Sequence, residues 1–204
     1  MTQLNKIILS SLILSSSCFA NNGSTLLEEL EGTKTYVGIQ TGYSHLNVDK
    51  EDTGSLTLNE SLDKSGSNIS FELGYSYSKN LDLSLNYKRV NNSDIGLDNF
   101  YVSSKYKFNY SEVFTPYIGA NLGYSQLSWD RSPIDTSEND VESGSFMIGA
   151  LAGILYPINK NLSLDINYQA DYMEHKTYLE NYPNKSTLTH DLLQTFNFGF
   201  RYSF

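Results

Sequence analysis

The sequence is short of cysteine, of charge and of long apolar runs. Its one cysteine is Cys18, so no disulfide within the chain is available and stability must come from backbone pairing and burial. Charged residues make up 18% of the chain and hydrophobic ones 39%. That is too apolar for disorder and poor in charge for a protein surrounded by water. No apolar run approaches the ~20 residues that a membrane-crossing helix needs. Lysine and arginine number 14 against 23 aspartate and glutamate, a balance that argues against nucleic acid as a partner. Helical periodicity is nearly absent as well; only STLLEELEG (24–32) keeps it. Aromatics are plentiful, with 16 tyrosines and 10 phenylalanines beside a single tryptophan, Trp129. An excess of tyrosine suits surfaces that are apolar on one side and wet on the other.

Residues 1–20 read as an export signal. Lys6 supplies the positive start, IILSSLIL (7–14) the apolar stretch and Ala20 the small residue at the cleavage point. Ser15 stands where lipoprotein motifs carry leucine, which disfavours lipidation at Cys18. Cleavage after Ala20 would remove Cys18 and Lys6 and leave 13 basic against 23 acidic residues. Residues 21–33 are expected as a short periplasmic segment, either a tail or a small plug, and 34–204 as one β-domain.

From residue 35 onward the hydrophobic period is two. In TYVGIQTGYSHL (35–46), Val37, Ile39 and Tyr43 alternate with Gly38, Gln40 and Gly42. In NISFELGYSYS (68–78), Phe71, Leu73 and Tyr75 alternate with Glu72 and Gly74. The same pattern recurs at 80–89, 100–108, 116–125, 146–158 and 161–172, and again from about 192 to the end, which predicts eight strands. Short turns are expected near 79–80, 109–114 and 159–160. Long polar connections are expected at 47–67, 90–99, 128–145 and 173–190. Long loops at one end and short turns at the other suit an all-β, eight-stranded antiparallel up-and-down barrel inserted from one side of a membrane. KNLDLSLNY (79–87) and KNLSLDINY (160–168) are one hairpin solution used twice.

A barrel in water would bury its Leu/Ile/Phe/Tyr face; a barrel in lipid does the reverse. The other face here is rich in glycine and serine, which fits a crowded narrow lumen. Tyrosine and phenylalanine gather near strand ends, where aromatic girdles meet headgroups. A transmembrane β-barrel in the bacterial outer membrane is therefore expected.

TPYIGANLGYS (115–125), NKNLSLDINY (159–168) and the terminal FGFRYSF (198–204) together resemble the small outer-membrane β-barrel family, which includes the transmembrane domain of OmpA and the opacity-type surface proteins. The resemblance spans residues 34–204. It implies that the alternate terminal aromatics Phe200, Tyr202 and Phe204 serve as the signal read by the barrel-assembly machinery. The sequence ends with the barrel, so it carries no expectation of the peptidoglycan-binding domain found in OmpA itself.

On the inner face the alternation places Glu72, Asp82, Lys88, Lys105, Lys107, Asp165, Asp171 and Arg201. Buried charges must be paired; Glu72 is expected to reach Lys105, and Asp165 to pair with Arg201. A filled polar core is the main reading of this lumen charge network, and a narrow low-conductance channel the alternative. His45, His175 and His190 are expected at outer strand ends on neighbouring strands. With Glu174 or Asp191 they offer a metal site, or with Ser186 a lipid A-modifying hydrolase, though no catalytic motif supports an enzyme. No cofactor or metal is assigned. The acidic stretches 47–67 and 130–142, with DTSENDVE (135–142), suit solvated external loops, or contact with lipopolysaccharide through divalent cations. The expected role is structural and surface-interactive: partners are outer-membrane lipid, lipopolysaccharide, the assembly machinery and an external ligand of the loops.

Overall fold

The computed structural model describes residues 34–52, 64–93, 95–108, 113–129, 143–181 and 184–204, without the side chains of 48–52 and 177–188. The expected signal (1–20), the segment 21–33 and the acidic stretch 130–142 lie outside the described residues, as does most of the stretch 47–67. The described chain forms eight strands: β1 (Lys34–Asp52), β2 (Ser65–Ser76), β3 (Leu81–Asn91), β4 (Ile95–Lys107), β5 (Thr115–Trp129), β6 (Ser143–Pro157), β7 (Leu162–Asn181) and β8 (Asn184–Ser203). Each pairs antiparallel with the next, and β8 closes on β1.

The stagger of the closure sets the shape. From Tyr36, the paired residues run through Gly74, Ser84, Ser103, Asn121, Gly149, Asp171 and Leu193, and return to β1 at Leu46. One circuit therefore climbs ten residues along β1, from 36 to 46. With eight strands this stagger tilts the strands by roughly 40° to the axis. Each residue then rises about 2.5 Å along the barrel.

The two echoed turns work by the same contacts. Ser78 Oγ accepts from the backbone N–H of Leu81 at 3.1 Å, and Asn159 Oδ1 accepts from that of Leu162 at 2.8 Å. One strand over, Asn80 Nδ2 donates to the Lys107 carbonyl at 2.8 Å and Asn161 Nδ2 to the Ser203 carbonyl at 2.6 Å. A short polar residue folds the turn and an asparagine ties it to the adjacent strand.

The outer ends depart from expectation. Stretches 90–99 and 173–190 are mostly strand rather than loop: β3 runs to Asn91, β4 starts at Ile95, β7 runs to Asn181 and β8 starts at Asn184. The backbone keeps its ladder beyond the point where outward side chains cease to be apolar, because pairing does not depend on what the face meets.

The apolar set faces outward. Tyr75, Tyr77, Tyr106, Tyr156, Tyr202 and Phe204 ring the lower rim, and Tyr43, Tyr124, Phe146 and Tyr172 the upper one, all exposed. Between them lie Ile39, Phe71, Leu85, Val102, Leu122 and Phe198, also exposed. The band is about 25 Å tall, the height of an outer-membrane hydrocarbon layer. Directly above it the surface becomes polar: Arg89 pairs with Asp98 at 3.3 Å, and Glu174 pairs with Lys176.

Glycine shapes the inner wall where rings cross it. Tyr36 lies flat over its cross-strand partner Gly74, and a Cβ there would fall inside the ring. Gly74→Val should displace Tyr36 and cost roughly 1–3 kcal/mol. The temperature at which the folded form loses its fast mobility on an unboiled gel measures this. An unchanged temperature would mean that the ring is free to move.

Candidate functional site

All eight charges expected inside do face the lumen, four acidic and four basic, and they lie in layers. At the bottom, Asp82 on β3 takes two cations. Arg201 Nη1 lies 2.6 Å from Asp82 Oδ2, and Lys107 Nζ lies 2.6 Å from Oδ1. The guanidinium also stacks on the Tyr36 ring, with 3.3 Å from Cζ to the ring centroid, and donates to Ser76 Oγ at 3.2 Å. Just above, Glu72 and Lys105 pair at 2.6 Å as expected, and Tyr36 adds its hydroxyl to the same carboxylate oxygen at 3.1 Å.

The expected pair of Asp165 with Arg201 does not form. The register sets Arg201 against Ser163 and Asp165 against Gly199. Arg201 leans the other way, over β1 and β2, where an aromatic face and a carboxylate both receive it. Asp165 instead accepts the Tyr117 hydroxyl at 2.6 Å and the Asn167 amide at 3.3 Å.

At mid-height Lys88 spans the lumen from β3. Its Nζ donates to Gln169 Oε1 at 2.8 Å on β7 and to Thr195 Oγ1 at 3.1 Å on β8. Asp171, the counter-charge, lies 3.9 Å from Nζ. It accepts from Gln169 at 2.6 Å and from Asn121 at 3.1 Å. Its carboxylate fits only because its neighbour across the ladder is Gly149, where a Cβ would collide with it. Asn86, Ser103 and Asn121 continue the chain of bonds around the wall, at 3.0 and 2.7 Å.

Above this the interior changes character. Leu46, Val90, Leu97, Leu127, Met147, Met173 and Leu193 form one buried apolar cluster with Ile95 and Tyr101, and Trp129 packs against it. A filled polar core was expected, so this collar is a correction. Tyr101 and Met147 lie just inside the upper girdle; for the rest of the cluster the alternation continues past the bilayer while the surroundings reverse: outside is now water, so the inside becomes the apolar face. The signal was present in the sequence, since Leu46 follows Ser44, and Leu193 precedes Thr195, on the inward parity.

Two of the three histidines sit in the collar. His175 and His190 are direct partners across β7 and β8, exposed by 0% and 1%. His175 Nε2 lies 2.9 Å from Ser125 Oγ and Nδ1 lies 3.4 Å from Ser143 Oγ. The Trp129 ring meets His190 edge-on at 5.8 Å. His45 is turned the other way, with its Nδ1 3.3 Å from Ser65 Oγ. Glu174 is engaged with Lys176 on the outer surface, and Asp191 accepts from Asn47 Nδ2 at 3.1 Å. The expected histidine–carboxylate cluster is therefore split between two faces. The Ser186 side chain lies outside the described residues. Among the described residues no three metal-capable side chains converge.

At the lower rim Phe200, Tyr202 and Phe204 all point outward, and Tyr202 and Phe204 meet edge-to-face at 5.2 Å. The backbone N–H of Phe204 donates to the Thr35 carbonyl at 3.0 Å, which seats the last residue on the first strand.

A closed eight-stranded antiparallel barrel, apolar outside and charged inside, defines a transmembrane protein of the bacterial outer membrane. The chain belongs to the outer membrane protein beta-barrel domain family, whose model matches residues 9–204. Its fold is similar to the crystal structure of Neisserial surface protein A, with a TM-score of 0.61 and 22% identity over 85% of this chain and 99% of that one. It is also similar to the outer membrane protein OprG from Pseudomonas aeruginosa, with a TM-score of 0.57 and 13% identity over 85% of this chain and 97% of that one. No curated protein sequence matches the chain.

Breaking a buried pair by removing one partner costs about 3–5 kcal/mol. Asp82→Ala should approach that loss, because it leaves Arg201 and Lys107 without their shared anion. A double-mutant cycle on melting free energies should give Arg201 and Asp82 a coupling of about 1–3 kcal/mol, and Arg201 and Asp165 close to none. Equal couplings would contradict the observed geometry.

Proposed function

We propose that this protein is a closed structural barrel that stabilises the outer membrane and presents its acidic external segments to the surroundings, rather than a pore. The observation that carries the reading is the blocked lumen. Lys88 and Arg201 cross it at two heights, and the apolar collar lies above both. An eight-stranded barrel has an interior that side chains can fill, and here they fill it with bonded groups. The same blockage weighs against the narrow-channel alternative. The hydrolase alternative loses two of its histidines to the buried collar.

The partners consistent with this role are the lipids around the apolar band, lipopolysaccharide in the outer leaflet and an external ligand of the acidic segments 53–63 and 130–142. Those segments carry Glu60 and Asp63, and Asp130, Asp135, Glu138, Asp140 and Glu142. In planar bilayers at neutral pH the pure protein should give no conductance steps; reproducible steps would overturn the closed-barrel reading.

Phe200, Tyr202 and Phe204 are proposed as the address read by the assembly machinery. Phe204 is 67% exposed and so adds little to internal packing. Its deletion should therefore slow membrane assembly severalfold in cells while barely moving the melting temperature of the protein that does insert. Arg201→Ala should show the opposite balance. If the two variants lose only thermal stability and assemble at normal rates, the address reading is wrong.

A further inference from the structure

The collar contains two ionisable groups in an apolar setting. His175 and His190 face each other across the β7–β8 ladder and are both fully buried, on strands that also carry the collar residues Met173 and Leu193. The apolar band ends at Tyr172 on β7, so both imidazoles stand above the bilayer, on the side that meets the external medium.

We propose that the His175–His190 pair is an acid-operated latch on the outer mouth of the barrel: protonation expels the two imidazoles from the apolar collar, lifts Trp129 and loosens the strand ends that carry the external segments. The groups around the pair favour this direction. From β5 come Ser125 and Trp129, and from β6 Ser143. On β1 the ladder partner of His190 is Val48. On β8 itself the nearest carboxylate among the described side chains is Asp191, and it is held by Asn47. On β7 the Glu174 and Lys176 pair lies on the outer surface, and Asp171 lies two inward positions below His175, engaged with Lys88, Gln169 and Asn121. The two serine hydroxyls serve a neutral His175 well, because each can donate or accept. Two adjacent imidazolium ions in this setting repel each other, and among the described side chains the nearest anion, Asp191, is already held by Asn47.

The sign of the effect follows from burial. It holds His175 at a pKa of about 4, below the ordinary imidazole value. His190 is also held at about 4, by burial and by its neighbour His175, with Asp191 acting weakly against them. A group whose pKa is lower in the closed form than in the open form withdraws stability as pH falls. The latch is fully closed above about pH 6.5 and weakens progressively down to about pH 4.

Trp129 is the only tryptophan in the chain and touches His190, so its emission reads the mouth directly. Full-length protein inserted in lipid vesicles is titrated from pH 7.5 to pH 4, with emission and acrylamide quenching followed together. Emission is expected to shift to longer wavelength and the quenching constant to rise at least twofold, reversibly. His175→Gln with His190→Gln should abolish the transition, and each single variant should shrink it. His45→Gln, on the other face, should keep it in full. Heat-modifiable mobility confirms that each variant is folded; if the double variant does not insert, the wild type and the single variants decide the matter. A loss of intensity without any gain in acrylamide access would mean that an imidazolium quenches Trp129 inside a closed mouth, and would overturn the latch. So would a transition that keeps its full size when either histidine is replaced, or that survives in the double variant.

Discussion

Every feature of this protein depends on one constraint: within hydrocarbon, no backbone N–H or C=O may go unpaired. A sheet meets it only by closing, so β8 must find β1. The ten-residue stagger at which it does so fixes tilt, width and which side chains share a level. Because of that stagger, residues distant in sequence meet inside. Lys88 on the third strand reaches the seventh and eighth, and Arg201 on the eighth reaches the third. The charge network is a product of closure as much as of composition.

The constraint also explains why one alternating pattern yields two interiors. Below the upper aromatic girdle, lipid demands apolar residues outside, and the lumen takes the polar ones. Above it, water takes the polar ones, as with Arg89, Asp98, Glu174 and Lys176, and the lumen takes leucine and methionine. The barrel is a membrane protein at its base and has the polarity of a water-soluble one at its mouth. The ladder itself is indifferent to the change, and the strands run through it without a break in hydrogen bonding, apart from bulges near Leu46 and Tyr172.

Much of this was legible in the chain alone. Period-two alternation marked all eight strands and the facing of every inner charge, because a strand has only two faces. The Glu72–Lys105 pair was legible too, since both lie on the inward parity two strands apart. Three things were not. The partner of Arg201 depends on which way a long side chain leans, and that is decided by the Tyr36 ring and the gap over Gly74. The outer connections were overcounted, because polar residues there read as loop when they belong to strands standing clear of the lipid. The collar was missed for the same reason: the outward face, having turned polar, no longer looked like strand, so its inward partner residues were not followed.

The stack of Arg201 on Tyr36 and its reach to Asp82 have a consequence for how the barrel comes into being. The arginine is on the last strand and its carboxylate on the third, with the first and second between them. Until β8 docks on β1, Arg201 lacks its carboxylate, and Asp82 has only Lys107 of the neighbouring strand beside it. Solvation or misplacement of the arginine burdens the open sheet, and that burden disappears at the moment of closure. The pair therefore works as a clasp: it contributes nothing to the early hairpins, and it makes the final join the step from which the chain does not readily return.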